Sequence, residues 1–204
     1  MTLLNNISIG RKFAVAFGVL VAIMIASGAS TFYQLNRASE AASEVERVNA
    51  LLGTLEAMQV NAVDQSGSIK EFLLSGDRTA IDRYREQGAL FDEAAEALLA
   101  ALGNSSTARG AAEEYIAINA DWRQTADRQI SLMRQPFTVD EARLMESNGA
   151  GRNYVAAMTD KFNLLSEMGE AVVQEAKVKQ DSVFLTVEFF AAGSAVLGVV
   201  IAVL

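Results

Sequence analysis

Residues Phe13 to Tyr33 make an unbroken run of 21 positions without a charged side chain. At a helical rise of about 1.5 Å per residue the run covers roughly 30 Å, the thickness of a bilayer's hydrocarbon core. Arg11 and Lys12 precede it, and helix-compatible sequence follows with no turn signal. The run therefore predicts a transmembrane helix over 13–33 that continues outward as the first helix of a larger domain. A cleaved signal peptide is the competing reading, since Ser27-Gly28-Ala29-Ser30 offers small residues of the kind a signal peptidase accepts. The length of the run and its helical continuation favour an anchor that stays.

Composition narrows what hangs from this anchor. The chain has 204 residues and a single proline, Pro136, and neither Cys nor His. One proline and abundant alanine favour helix throughout. Without Cys or His there is no disulfide framework and no ordinary zinc site. Residues 1–12 carry two positive charges and no negative ones, which places them in the cytoplasm by the positive-inside tendency. Residues 34–182 hold 15 Lys and Arg against 24 Asp and Glu, a balance of −9, which argues against nucleic acid as a partner.

Beyond the run, Val45, Val48, Leu52, Leu55, Ala62, Ile69 and Leu73 recur three and four apart, with the polar residues Gln59 and Ser66 on the same seam. This is the stripe of a helix packed in a bundle. A helix from about residue 11 to 75 is roughly 95 Å long, so most of it projects from the membrane. Ser75-Gly76-Asp77 ends it, with Gly76 in the left-handed conformation and Asp77 or Thr79 capping the next helix. The second helix is expected over about 79–102, with Ile81, Tyr84, Phe91, Ala95, Leu98 and Leu102 on one face. Gly103-Asn104-Ser105-Ser106 forms the next turn. The third helix follows over about 107–134, with Ala112, Tyr115, Ile118, Trp122, Ala126, Gln129 and Met133 on its seam.

Gln135-Pro136-Phe137 makes the third turn, and Thr138 with Glu141 has capping-box spacing. A fourth helix then runs without interruption through Leu144, Asn148, Gly151, Val155, Met158, Phe162, Leu165, Gly169, Val172 and Ala176 into a second apolar stretch, 183–204. That stretch contains only Glu188 as a charge and has no basic flank after it, which reads as a second span cut short in a longer chain. Glu188, near its outer end, is expected to snorkel to the interface. Helix lengths at the standard rise close on one another as an all-α fold, an antiparallel up-down-up-down four-helix bundle whose long first and fourth helices extend into two transmembrane helices. Its parts are a cytoplasmic segment 1–12, a span 13–33, an extracytoplasmic bundle 34–182 and a span 183–204.

Particular residues then carry a resemblance. Asn6-Ile7-Ser8-Ile9-Gly10-Arg11-Lys12-Phe13, an apolar run and Tyr33-Gln34-Leu35-Asn36 resemble the start of bacterial methyl-accepting chemotaxis proteins. Lys70-Glu71-Phe72-Leu73-Leu74-Ser75-Gly76-Asp77, with Tyr84 shortly after, resembles the turn that closes the first helix in the CHASE3 branch of these sensors. The resemblance implies a dimeric receptor of the bacterial inner membrane, associated through its bundle and spans, with a periplasmic sensor over 34–182 and a HAMP linker and signalling coiled coil beyond it. Its stimulus would be a small-molecule ligand or a periplasmic binding protein.

Catalysis needs a nucleophile, an acid–base pair or a metal held in a pocket. The serines and threonines fall at turns, where capping explains them, and the carboxylates fall opposite the seams. No enzymatic activity and no cofactor are expected. Ligand binding is the sharper question. One layer of the bundle is more polar than those on either side: Gln59, Ala62, Gln65 and Ser66, then Tyr115, Asn119, Trp122 and Arg123, then Asn148, Gly151, Arg152 and Val155, with Gly88 and Phe91 from the second helix. Buried polar groups need partners, and Arg123 or Arg152 suits a carboxylate through a two-pronged hydrogen bond. The plainer reading has Gln59, Ser66 and Asn148 pairing with one another to fix register, Trp122 in the core and both arginines on the surface.

The leading function is a chemoreceptor sensor that passes an extracytoplasmic stimulus inward by displacement of its long helices. The alternatives are the same module on a histidine kinase or cyclic-dinucleotide enzyme, and a non-sensing membrane scaffold.

Overall fold

In the computed structural model the backbone is described for residues 9–103 and 107–203, and side chains for residues 10, 11, 14, 17–103 and 107–180. Those residues form five α-helices and no strand: α1 (Ile9–Ser75), α2 (Arg78–Leu102), α3 (Thr107–Met133), α4 (Val139–Ser147) and α5 (Ala150–Val203). The chain is thus all-α. It divides into two compact units, residues 47–172 and the combination of 1–46 with 173–204. The lead 1–8, the centre of the second turn (Asn104 to Ser106) and the side chain of Glu188 lie outside the described residues.

The expected stop after α1 is present. Gly76 takes φ 73°, and its N–H donates to the Phe72 carbonyl over 2.8 Å. A residue with Cβ pays a steric penalty at that φ, so glycine ends the helix there. Asp77 caps α2: its Oδ1 accepts from the Thr79 N–H at 2.9 Å and its Oδ2 from the Thr79 hydroxyl at 2.7 Å. These two donors hold the exposed Asp77 carboxyl below the usual carboxylate range.

The fourth helix departs from expectation. It is two helices, α4 and α5, parted at Asn148-Gly149. Asn148 ends α4, donating its N–H to the Leu144 carbonyl at 2.9 Å, and the Gly149 N–H reaches the Glu146 carbonyl at 2.9 Å. Gly149 then turns to φ 87°, a conformation that breaks the helical path. Asn148 is therefore an exposed cap, not a seam residue, and Leu144 points outward as well. The expected capping box at Thr138 and Glu141 is also not made. The Thr138 hydroxyl donates instead to the Leu132 carbonyl at 2.6 Å and the Gln135 carbonyl at 3.2 Å, so it closes the end of α3 rather than opening α4.

Within residues 47–172 side chains from all five helices share one apolar core. Leu55, Met58, Ile69 and Phe72 of α1 meet Phe91 and Leu98 of α2, Tyr115 and Trp122 of α3, Ala142 of α4, and Met158 and Leu165 of α5. Apolar burial of this kind is the main favourable contribution to folding. The predicted faces of α2 and α3 supply Ile81, Tyr84, Phe91, Ala95 and Leu98, and Ala112, Tyr115, Trp122 and Ala126. Two contacts tie the ends. Arg143 of α4 donates from Nε to the Leu73 carbonyl at 3.0 Å, satisfying an acceptor in the last turn of α1. Leu52 of α1 lies against Gly169 of α5 so closely that a Cβ there would sit 2.7 Å from Leu52 Cδ2.

In the other unit, α1 carries a stretch beginning at Phe17 that is long and apolar enough to cross a membrane, the one such helix among the described residues. Phe17, Met24, Ile25 and Phe32 expose their side chains there. Gln34 donates to the Ser30 hydroxyl at 3.1 Å, and the Arg37 guanidinium lies over the Tyr33 ring, 5.1 Å from its centroid.

Candidate functional site

The polar layer expected from the sequence is present between α1, α2, α3 and α5, with changed membership. Gln59 of α1 bridges two helices. Its Oε1 accepts from the Tyr115 hydroxyl at 2.8 Å, and its Nε2 donates to the Thr159 hydroxyl at 3.3 Å. Gln59 thus pairs with neither Ser66 nor Asn148. One turn away, the fully buried Asn119 donates from Nδ2 to Met158 Sδ at 3.5 Å, a weak acceptor. Burial pushes the Tyr115 hydroxyl well above the ordinary tyrosine range. Tyr115→Phe is expected to cost about 0.5–1.5 kcal/mol, the net worth of one such bond. Thermal unfolding of the intact chain measures it; no change in midpoint would mean that water replaces the hydroxyl at half-buried Gln59.

Trp122 and Tyr84 stack edge to face, with ring centroids 5.9 Å apart and planes at 73°. Tyr84 then donates its hydroxyl to Asp127 Oδ1 at 3.3 Å. Burial first, and the Asp127 charge second, raise its hydroxyl far above the usual range. Both phenols therefore stay protonated at neutral pH.

Arg123 projects from α3 to α2. Its NH1 and NH2 each donate to the Asp92 carboxylate at 2.9 Å, and NH2 also reaches the Gly88 carbonyl at 3.2 Å. The guanidinium stands 5.3 Å from the Phe91 ring centroid. A Cβ at position 88 would lie 3.7 Å from that guanidinium and 3.7 Å from Gln65 Oε1, so both groups converge on Gly88.

Behind them lies Gln65 of α1, with no solvent exposure. Neither its Oε1 nor its Nε2 has a hydrogen-bond partner in the protein, and the same holds for buried Asn119 Oδ1 and Arg123 Nε. Native interiors leave few such atoms unmatched, and these gather around one layer. A cleft of about 500 Å³ opens beside Gly88, lined by Gln65, Tyr84, Arg85, Asp92, Arg123 and Asp127.

The structure thus brings together Gln59, Tyr115, Asn119, Trp122 and Arg123, and buries Ser66 on the α1 seam. It leaves Asn148 and Arg152 exposed at the α4–α5 break, Asn148 as the α4 cap. Arg123, expected on the surface if it were not a ligand group, keeps only 23% of its side chain exposed. Sequence reasoning placed Gln65 and Gly88 in the layer without choosing them as site residues, and missed Asp92, Asp127 and Thr159 as their surroundings. The signal was available: Met58, Gln65 and Phe72 recur every seven residues as a second buried stripe beside the first.

These features define an all-helical domain with a polar layer inside an apolar core. A family model, the CHASE3 domain, matches residues 41–178. The chain belongs to the CHASE3 family, extracytoplasmic sensor domains of receptors that include chemotaxis and histidine kinase receptors. No curated protein and no solved structure matches the chain.

Proposed function

We propose that the chain is the sensory input portion of a transmembrane chemoreceptor of the bacterial inner membrane. The observation that carries this is continuity: α1, a single helix from Ile9 to Ser75, holds both the apolar run and the opening stretch of the CHASE3 match, residues 41–75. In this reading residues 34–182 are periplasmic, residues 13–33 and 183–204 span the bilayer, and the N-terminus is cytoplasmic. α1, α2, α3 and the α4–α5 pair act as an up-down-up-down four-helix bundle, and two copies associate through bundle and spans. The module has no catalytic role. Its stimulus is a small molecule or a periplasmic binding protein, received at the polar layer of Gln59, Ser66, Tyr115, Asn119, Trp122 and Arg123. Asn148 and Arg152, being exposed, suit an approach from outside the layer instead.

A stimulus shifts the balance between two packings only by its difference in affinity for them. Displacements of about 1–2 Å between packed helices are a known switching mode, and the close Leu52–Gly169 contact between α1 and α5, outside the polar layer, reports such a shift. The chain has no native cysteine, so Leu52→Cys with Gly169→Cys gives a clean cross-linking pair. Amino acids, organic acids and aromatic acids applied to cells are the first stimuli to test. A stimulus that changes receptor output is expected to change the disulfide formation rate of this pair. An output change with an unaltered rate would sink the displacement mechanism.

A further inference from the structure

We propose that the cleft between α2 and α3, with Gln65 at its floor, binds a small uncharged molecule that carries a hydrogen-bond donor and acceptor side by side, as a carboxamide or lactam does. The proposal rests on the sensory reading for its purpose, and on the geometry for its chemistry.

Gln65 is the centre of it. A primary amide offers one acceptor oxygen and a donor NH2 group, and here both ends are buried and unmatched. Burying such a group without partners is unfavourable, and an apolar side chain of the same shape would pack the position without that cost. A group complementary to both ends is another amide edge, whose N–H meets Oε1 and whose oxygen meets Nε2. Arg123 Nε, on the cleft lining, is a further unused donor. The Gln65 amide itself is balanced, one acceptor beside one donor group.

The charges of the cleft point the same way. Arg85 and Arg123 face Asp92 and Asp127 across it. The Arg123 fork is already closed on Asp92 by two bonds of 2.9 Å, so it presents no free two-pronged site to a carboxylate. A charged ligand would have to be desolvated against an uncharged amide floor, with no counter-ion released to meet it. An uncharged ligand avoids that cost.

Entry requires one movement. Arg123 lies over Gln65, held to the exposed Asp92 carboxylate and to the Gly88 carbonyl. A partly exposed ion pair is a weak latch, so the guanidinium can swing outward while Asp92 stays within its reach. Gly88 keeps the opposite wall free of a side chain at the point where the guanidinium and the Gln65 amide converge.

The test uses the whole chain in lipid nanodiscs. Its unfolding midpoint is followed with propionamide and pyrrolidinone, and with propionate and propylammonium at matched ionic strength. Both neutral probes are expected to raise the midpoint saturably and both ions to leave it unmoved, since a ligand that binds only the folded state stabilises it. Gln65→Leu is expected to melt at or above the unaltered chain and to weaken probe binding about tenfold or more, the loss of one or two hydrogen bonds. Gly88→Ala meets only ordinary contacts in the closed cleft, so it should keep the fold and reduce the probe shift. A saturable shift that survives both substitutions would place the probe elsewhere and overturn the proposal. So would the absence of any shift with the neutral probes, or a Gln65→Leu chain that melts well below its parent, which would make Gln65 a structural residue. Probe binding through Gln65 with unchanged Leu52–Gly169 cross-linking would uphold the site and remove its sensory purpose.

Discussion

Trp122→Ala is expected to lower the unfolding free energy by about 3–5 kcal/mol, the range for deleting a large aromatic from a packed core. Trp122 is almost wholly buried, on the α3 seam between Ala112 and Tyr115 on one side and Ala126 on the other. Alanine there removes apolar area and leaves a cavity that the surrounding helices fill only in part. It also takes away the edge-to-face partner of Tyr84, worth about 0.5–1.5 kcal/mol beyond area. Tyr84 loses its support and, with it, the orientation that aims its hydroxyl at Asp127. Thermal unfolding of the intact chain in detergent measures the loss, and Trp122→Phe should recover a large part of it. A loss under about 1 kcal/mol would mean that the core collapses onto the gap, and that Trp122 is not the keystone of the layer.

Gly149→Val is expected to cost about 1–3 kcal/mol, the strain of holding a side-chain-bearing residue in a sparsely populated backbone region. The native φ of 87° suits glycine and opposes a β-branched residue in particular. The chain has one escape, which is to straighten α4 and α5 into a continuous helix. That escape would pull α4 from its present seat. Arg143 would leave the Leu73 carbonyl, and Glu146 would lose both its 3.4 Å bond from Gln129 Nε2 and its packing over Gly151. The expected result is therefore lower stability with unchanged helix content by far-ultraviolet circular dichroism. Unchanged stability with more helix would show that the break is dispensable.

Most of the fold was legible because its signals are local and periodic. Gly76-Asp77 marks the first turn through the conformation of one residue and the cap of the next. Ile81, Tyr84, Phe91, Ala95 and Leu98 mark the buried face of α2 through spacing alone. Asn148-Gly149 carried an equally local turn signal. It was overridden by the longer seam from Leu144 to Ala176, of which Gly151, Met158 and Leu165 after the break are buried while Leu144 and Asn148 before it are exposed. Thr138 shows the opposite failure. Its spacing to Glu141 fits a capping box, yet the hydroxyl has carbonyl acceptors in the preceding turn that spacing cannot reveal.

The candidate site was legible by layer but not by residue. Polar positions on a seam advertise that something is matched there, and Gln59, Tyr115 and Asn119 were found in this way. Which atom meets which depends on how the helices are rotated against each other, a property of the packed core. Gln59 finds Tyr115 and Thr159 only because α3 and α5 both turn those residues inward. Gln65 sits one step off the main stripe, where a two-face helix buries what a single seam would leave in water.

The Arg143 bond to the Leu73 carbonyl has a mechanical meaning. It clamps α4 to the end of α1, while Gly149, six residues on from Arg143, makes the bend at the start of α5 that would serve as a pivot in the proposed displacement. A clamp on one side of a pivot makes α4 a fixed bracket and α5 a lever. Axial travel of α5, if it carries the signal as proposed, would then be absorbed by rotation about the backbone at residues 148–149, with no need to unwind a helical turn or to peel the bracket from α1. The short helix that interrupts the expected fourth rod would thus set how far the lever can travel before the tip of the domain resists it.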